Sequence, residues 1–221
     1  MRVYNSILLD KELDGDFEFD PTWYWNRDCF NHKEVDKIKE LKDSYTFKRA
    51  ATGGKNSKTT KSETRESEVF WIQENPDSTW IYDRIMKQVS QANEKWKFTL
   101  FSSEQIQYTK YTEPGLLTFE DKMKIRSHRD TGKKHAGHYT WHTDFGVSNT
   151  HRKVSVVIEL SDGGDYEGGE IKSWGADGEI THSKTLGCCV IFPSFTLHKV
   201  EPVTKGIRES LVCWVQGPSF K

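Results

Sequence analysis

The chain has 221 residues, and its 32 Lys and Arg nearly balance its 33 Asp and Glu, giving a formal net charge of -1. This balance argues against a globally basic nucleic-acid binder and against an acidic, solvating tail. The length suffices for a core without disulfides or a structural metal, and 8 Trp, 12 Phe and 8 Tyr supply large apolar surfaces to fill it.

Two segments are predicted to be helices. The first covers residues 31–43, with Asn31 as its N-cap and Glu34 three residues later to complete a capping box. The second begins at Asn75-Pro76, where a capping residue precedes proline, and ends near Lys97. Its apolar residues recur on one helical face, at Ile81, Ile85, Val89, Ala92 and Trp96.

From about Thr99 the sequence changes to short runs rich in β-branched and aromatic residues. These runs are TLFSSEQIQYTKY, VSVVIEL, GGEIKSW, LGCCVIF and SLVCWVQ. Several short strands without helices between them favour a sandwich or barrel over a parallel sheet. We therefore predict one mostly β domain with α-helices (α+β) over residues 1–221. A helical layer and a basic loop would occupy about 1–98, and the β-core about 99–217.

Two segments rich in lysine and arginine are predicted to be loops. Residues 46–66 and residues 121–135 carry six such side chains each. Ordinary solvated surface loops would explain both. The alternative is a pair of basic flaps beside an active site, which would attract an acidic or nucleic-acid-bound substrate.

The triplet His142-Thr143-Asp144 is the first candidate for chemistry. Residues i and i+2 of a strand point to the same side, so the His142 imidazole and the Asp144 carboxylate would point to one place. A second histidine would complete a 2-His-1-carboxylate set, which leaves open metal positions and is typical of non-haem Fe(II) oxygenases. The best candidate is His198, which follows an apolar strand and a Pro-Ser turn.

Arg208 follows His198 by ten residues, in a strand whose alternation places Arg208, Ser210, Val212 and Trp214 on one face. An arginine inside a barrel needs an anionic partner, because an unpaired buried charge is strongly destabilising. Its guanidinium suits a carboxylate through two hydrogen bonds, and the Ser210 hydroxyl lies on the same face to donate to that anion. A surface arginine paired with Asp or Glu is the alternative.

These residues, in this order, are similar to those of a known family. The chain resembles the prolyl 4-hydroxylase-like branch of the 2-oxoglutarate and Fe(II)-dependent oxygenases, in particular the small bacterial and phage PKHD-type hydroxylases. The resemblance covers about residues 70–217 and rests on NPDSTWIYDRI, QANEKWKF, QYTKY, HYTWHTD, YEGGEI, GCCVIFPSFTLHKVEPVTKGIR and CWVQ. Gly168 and Gly169 in YEGGEI would permit a close backbone approach. The sequence departs from the family in a basic insert at about 112–136.

The resemblance implies a double-stranded β-helix, or jelly roll, and a specific chemistry. Oxidative decarboxylation of 2-oxoglutarate would be coupled to hydroxylation of a C–H bond in a prolyl residue of a protein or peptide, with release of succinate and CO₂. Fe(II), 2-oxoglutarate, O₂ and ascorbate would be the cofactors. The implied residues are His142, Asp144 and His198 for iron, Arg208 and Tyr111 (with Ser210) for 2-oxoglutarate, and Tyr139 and Trp214 for the substrate side.

Other functions stay open at this point. The same chemistry could act on a free amino acid or another small molecule. A catalytically inactive jelly roll could instead bind a partner such as nucleic acid through its basic loops, and that affinity would fall steeply with salt. A Zn²⁺ site in a cupin-like hydrolase or isomerase is a third alternative, although it would leave Arg208 without an obvious anion.

We expect a cytoplasmic protein without a membrane partner. The cysteines are Cys29, Cys188, Cys189 and Cys213, and two of them are adjacent, which is not a disulfide framework. The N-terminus lacks the features of a signal peptide, and no apolar run approaches the length of a membrane span. The sequence does not indicate an oligomeric state.

Overall fold

The computed structural model describes residues 17–20, 22–50, 64–114 and 136–219, with side chains from residue 22 onward. The basic loop 121–135 and most of the loop 46–66 therefore lie outside the described residues.

The helices are α1 (His32–Glu40), followed by a 3₁₀ turn (Leu41–Ser44), and α2 (Thr79–Trp96). The strands are β1 (Phe17–Asp20), β2 (Trp23–Asn26), β3 (Lys48–Arg49), β4 (Arg65–Glu66), β5 (Glu68–Ile72), β6 (Ser102–Ser103), β7 (Ile106–Thr112), β8 (His138–His142), β9 (Arg152–Glu159), β10 (Glu167–Gly168), β11 (Ile171–Gly175), β12 (Gly178–Thr181), β13 (Cys189–Pro193), β14 (His198–Val200), β15 (Val203–Lys205) and β16 (Ile207–Gln216).

Both predicted helices are confirmed, with one change at a boundary. Asn31 caps α1 as expected: its side-chain oxygen accepts from the Glu34 N–H at 3.0 Å, and the Glu34 carboxylate accepts from the Asn31 N–H at 2.9 Å. Helix α2 begins later than predicted, with Ser78 as its N-cap. The Asn75 side chain instead accepts from the backbone N–H of Asp77 at 2.9 Å, so it stabilises the turn that precedes the helix.

Two antiparallel sheets form the body of the described chain. The larger sheet has the strand order β1-β2-β13-β9-β16-β7-β5-β3, with β6 paired to β16. The smaller sheet has the order β12-β11-β14-β8-β4, and β10 and β15 form a separate pair. Apart from the β1-β2 and β11-β12 pairs, neighbouring strands are not consecutive in the chain, as in a jelly roll. The fold is the predicted mostly β (α+β) double-stranded β-helix with helices attached.

The expected boundary near residue 98 does not separate the helices from the β-core. Strand β2 pairs with β13, β5 pairs with β7, and β4 pairs with β8. Strands from the first part of the chain thus extend both sheets. Strands β3 and β4 have two residues each, which is too short for an alternating pattern to be recognised in the sequence.

Alternation along β9 divides the core into two layers. Val154, Val156 and Ile158 face the helices and join the large apolar cluster that buries α1 and α2. Val157 faces the other way, into a smaller cluster between the sheets. That smaller cluster contains Tyr111, Val157, Ile171, Val190, Phe192, Val200 and Val203. The functional residues described below lie in this inner layer.

The cysteines pack as ordinary core residues. Cys29, Cys188, Cys189 and Cys213 are all buried and free. Burial raises the pKa of the Cys188, Cys189 and Cys213 thiols, so they are protonated and poorly reactive. In the described part of the chain, no helix is long and apolar enough to cross a membrane.

Candidate active site

The predicted metal-binding side chains lie together between the sheets. Strands β8 and β14 are neighbours, and their register places His142 opposite His198. Asp144 follows β8, with its Oδ1 atom 3.9 Å from His142 Nε2 and its Oδ2 atom 3.5 Å from His198 Nε2. One ligand atom from each residue lies within 4.8 Å of the other two. This is the spatial arrangement that a single metal ion requires.

Backbone hydrogen bonds orient both imidazole rings. His142 Nδ1 lies 2.7 Å from the carbonyl oxygen of Thr140, and His198 Nδ1 lies 2.9 Å from that of Thr196. A carbonyl only accepts, so each Nδ1 must carry the hydrogen and donate it. The Nε2 atoms are left with free lone pairs directed at the shared position, which is the tautomer that a metal ligand needs.

The pKa shifts of Asp144 and His142 also suit metal binding. Burial acts to raise the pKa of Asp144. The nearby His198 and His142 and the hydrogen bond from Ser155 act in the opposite direction, and the net effect is a lowered pKa. The Ser155 hydroxyl donates to Asp144 Oδ2 at 2.7 Å. Burial and the neighbouring His198 lower the pKa of His142 to about 3. The site therefore presents the charged Asp144 carboxylate beside the neutral His142 imidazole, as metal coordination demands.

Aromatic rings surround the histidines. Tyr139 stacks on His142 with 3.4 Å between the ring centroids, and the Arg65 guanidinium lies 4.8 Å from the Tyr139 ring. Tyr139 and Trp214 both line the cavity that contains the triad. Strand alternation turns Trp141 away from its neighbour His142, and the Trp141 ring packs edge-on against Trp174 with 6.0 Å between the ring centroids.

Arg208 lies in the same cavity as the triad. The predicted face of β16 is confirmed, since Arg208, Ser210, Val212 and Trp214 all line that cavity. Arg208 is only 1% exposed. Tyr111 is its register partner on β7, and its guanidinium carbon lies 5.4 Å from the centre of the Tyr111 ring. The residues predicted to bind 2-oxoglutarate are therefore adjacent to one another.

The anionic partner of Arg208 is Glu159, a residue that the sequence analysis did not single out. An Arg208 Nη2–H group donates to Glu159 Oε1, and both side chains are almost fully buried. The pair leaves polar atoms unsatisfied: within the described part of the chain, Arg208 Nε, Glu159 Oε2 and Ser210 Oγ are buried without a hydrogen-bond partner. Two of these are donors that an additional carboxylate would satisfy. The residues at this end of the cavity thus fit a carboxylate ligand, and those at the triad fit a metal.

Gly169 allows the chain to pass close to Arg208. Its φ is +68°, and a Cβ atom there would lie 3.1 Å from Arg208 Cδ and 2.9 Å from Val203 Cγ2. Gly168, with a φ of +73°, would place a Cβ atom 2.1 Å from the carbonyl oxygen of Pro202. The close backbone approach expected at both glycines is confirmed, and larger residues would be strained here.

Sequence analysis missed a second buried arginine. Arg65 was assigned to a basic loop, yet it lies on β4 beside β8, is 8% exposed and lines the cavity. Its Nε–H donates to the Ser67 hydroxyl at 2.8 Å and its Nη2–H donates to Gln107 Oε1 at 2.9 Å. Nothing in the local sequence marks this burial. Alternation along β9 could have found Glu159, because it shares a strand face with Ser155 and Val157.

Two imidazoles and one carboxylate on a double-stranded β-helix define the class of mononuclear non-haem iron oxygenases. The profile of the 2OG-Fe(II) oxygenase superfamily matches residues 123–216 of this chain. The superfamily implies Fe(II), 2-oxoglutarate and O₂ as cofactors. Ascorbate stays a prediction.

Curated relatives match the C-terminal part of the chain. A PKHD-type hydroxylase of Synechococcus sp. is 36% identical over 98 residues, which are 44% of this chain and 40% of that protein. A PKHD-type hydroxylase of Gloeothece citriformis is 40% identical over 98 residues, with the same coverage of each chain. The chain thus aligns with about two fifths of the length of these relatives.

Solved structures match over nearly the whole chain. The prolyl-4-hydroxylase of Pseudomonas putida has a TM-score of 0.64 and 18% identity, covering 90% of this chain and 94% of its own. A Trichoplax adhaerens prolyl hydroxylase, solved with a peptide fragment of the hypoxia inducible factor oxygen degradation domain, has a TM-score of 0.65 and 15% identity. That match covers 89% of this chain and 84% of the other. At these identities the likeness establishes the fold.

Proposed function

We propose that the chain is a Fe(II)- and 2-oxoglutarate-dependent dioxygenase of one domain, residues 1–221. It would hydroxylate a C–H bond of a prolyl residue in a protein or peptide, with release of succinate and CO₂. The main support is that the His142, Asp144 and His198 triad shares one cavity with the buried Arg208. When bound, iron and 2-oxoglutarate supply the activation of O₂ and the oxidation of the C–H bond.

The side chains of the chain position and shield that chemistry. His142, Asp144 and His198 hold the iron, with His142 and His198 fixed by their backbone hydrogen bonds. Arg208 and Ser210, with Tyr111 beside them, bind the far carboxylate of 2-oxoglutarate. Val157, Ile171 and Val212 line the same cavity with apolar groups, and this lining excludes water from the reacting centre.

Tyr139 and Trp214 are proposed to contact the substrate. Both rings line the cavity, and flat aromatic faces pack well against a proline ring. The named activity of the structural relatives supports a prolyl substrate, and the peptide fragment bound to the Trichoplax enzyme supports a peptide substrate. The basic insert at about 112–136 would contribute to substrate choice.

An anaerobic spectrum tests this proposal. Fe(II) and 2-oxoglutarate are added to the metal-free protein, and we expect the weak visible charge-transfer band of a chelated 2-oxo acid. His198→Ala should abolish the band, whereas His32→Ala, which alters an exposed histidine of α1, should leave it unchanged. Iron binding without a band would show that Arg208 does not hold 2-oxoglutarate, and would favour a hydrolase, an isomerase or a binding module.

Succinate release then identifies the substrate class. Proline-containing peptides should stimulate succinate formation by the wild-type protein in air, with hydroxyproline detected by mass spectrometry. Stimulation by free amino acids in place of peptides would move the assignment to small-molecule hydroxylation. Binding of nucleic acid that weakens steeply with salt, without any succinate release, would instead indicate a binding module.

A further inference from the structure

The buried Glu159–Arg208 pair has a consequence for how 2-oxoglutarate binds. Glu159 ends β9 and lies opposite Ser210 of β16 in the sheet register. Its side chain is 3% exposed and that of Arg208 is 1% exposed. Since the carboxylate and the guanidinium carry opposite unit charges, the pair is neutral before any ligand arrives.

A dicarboxylate ligand would add negative charge to this neutral pair. If the far carboxylate of 2-oxoglutarate binds Arg208, two carboxylates share one guanidinium whose side chain is almost fully buried. Like charges at such short range disfavour ionisation of one of them, and an uncompensated buried charge is strongly unfavourable. Binding therefore requires either a second cation or a proton.

Among the residues that the structure describes, the groups that face Glu159 offer no spare cation. Besides Arg208, they are Lys184, Tyr166 and Cys188. Burial raises the pKa of Tyr166 and of Cys188, which keeps both neutral. Lys184 is committed elsewhere, because its ammonium group donates to the Gly168 carbonyl oxygen at 3.0 Å and lies 3.3 Å from a Glu170 carboxylate oxygen.

We propose that Glu159 takes up a proton when 2-oxoglutarate binds, so that Arg208 passes from the Glu159 carboxylate to the far carboxylate of the cosubstrate. This inference rests on the proposed function. One proton from solvent binds a Glu159 carboxylate oxygen, and no other covalent bond forms or breaks. Glu159 Oε2 has no hydrogen-bond partner in the described structure. The neutral acid can then donate a hydrogen bond to the incoming carboxylate, together with Arg208 and Ser210.

The electrostatics of the free protein favour this uptake. Burial raises the pKa of Glu159 above its ordinary value, although Arg208 opposes the shift. The carboxyl group is therefore easier to protonate than an exposed glutamate. Because binding consumes a proton, affinity for 2-oxoglutarate should fall as the pH rises above the pKa of Glu159 in the free protein.

Calorimetric titration of 2-oxoglutarate into the Mn(II)-loaded protein, without O₂, tests the inference. Titrations in two buffers of different ionisation enthalpy, from about pH 6 to about pH 8, should show the uptake of about one proton and a Kd that rises up to about tenfold per pH unit. Glu159→Gln should remove the uptake and the pH dependence and bind more tightly at the higher pH. Glu34→Gln, which alters a glutamate paired with Arg84 far from the cavity, should behave like the wild-type protein.

A ligand analogue makes the test independent of the variant's folding. The 2-oxo acid whose far carboxylate is replaced by an amide should bind the wild-type protein without taking up a proton. Absence of proton uptake with 2-oxoglutarate, equal uptake with the amide, or weaker binding by folded Glu159→Gln would each overturn the role of Glu159. If neither the wild-type protein nor any variant binds 2-oxoglutarate, the proposed function itself fails.

Discussion

Replacing Arg208 by methionine tests how far the fold depends on the buried ion pair. Methionine keeps the length of the apolar stem, so the main change is a Glu159 carboxylate buried without its partner. Removing one member of a buried pair costs about 3–5 kcal/mol in the free energy of unfolding. For a chain of this size that loss lowers the Tm by about 6–20 °C.

The loss should depend on pH in a defined direction. Burial raises the pKa of Glu159 above its value in the unfolded chain, and Arg208 opposes this rise. Arg208→Met removes that opposing charge. When the pKa of a carboxyl group is higher in the folded than in the unfolded protein, the group stabilises the fold fully at a pH below its unfolded-state pKa. This stabilisation is lost as the pH rises through its folded-state pKa. Arg208→Met should therefore be closest to the wild-type stability at low pH and furthest from it at neutral pH.

Thermal and urea unfolding, followed by circular dichroism from acidic to neutral pH, measure the stability of Arg208→Met relative to the wild-type protein. The double variant Arg208→Met/Glu159→Gln removes the buried charge and should recover most of the lost stability. The reasoning is refuted if Arg208→Met is as stable as the wild-type protein at neutral pH. It is equally refuted if the double variant shows the same loss as the single one.

Three further substitutions probe separate parts of the site and fold. Ser155→Ala removes the hydroxyl that donates to Asp144 and should weaken Mn(II) binding by about tenfold or more; unchanged affinity would remove Ser155 from the metal site. Gly169→Ala places a Cβ atom against Arg208 at a residue with a left-handed backbone conformation. The strain should lower the free energy of unfolding by about 1–3 kcal/mol and weaken 2-oxoglutarate binding. Unaltered stability would contradict the strain. Asn31→Ala removes the cap of α1 and should cost about 1 kcal/mol, and a changed Mn(II) affinity would show that this helix is coupled to the site.

The local features of the fold could be predicted from the sequence because each depends on near neighbours. The capping box of Asn31 and Glu34 needs only three residues of separation. The shared face of Arg208 and Ser210 follows from strand alternation alone. The order of His142, Asp144 and His198 in a recognisable motif predicted this set of metal ligands before any distance was known.

What the tertiary structure alone decided concerns residues far apart in the sequence. Glu159 and Arg208 are separated by 49 positions, and only the pairing of β9 with β16 brings them together. Arg65 reaches the cavity because two residues of a basic segment pair with β8. Local propensity cannot predict such contacts, since strand neighbours and buried charge partners are selected by long-range packing. The sequence by itself thus determined the local elements and the order of the candidate ligands, and the folded chain determined which charges surround them.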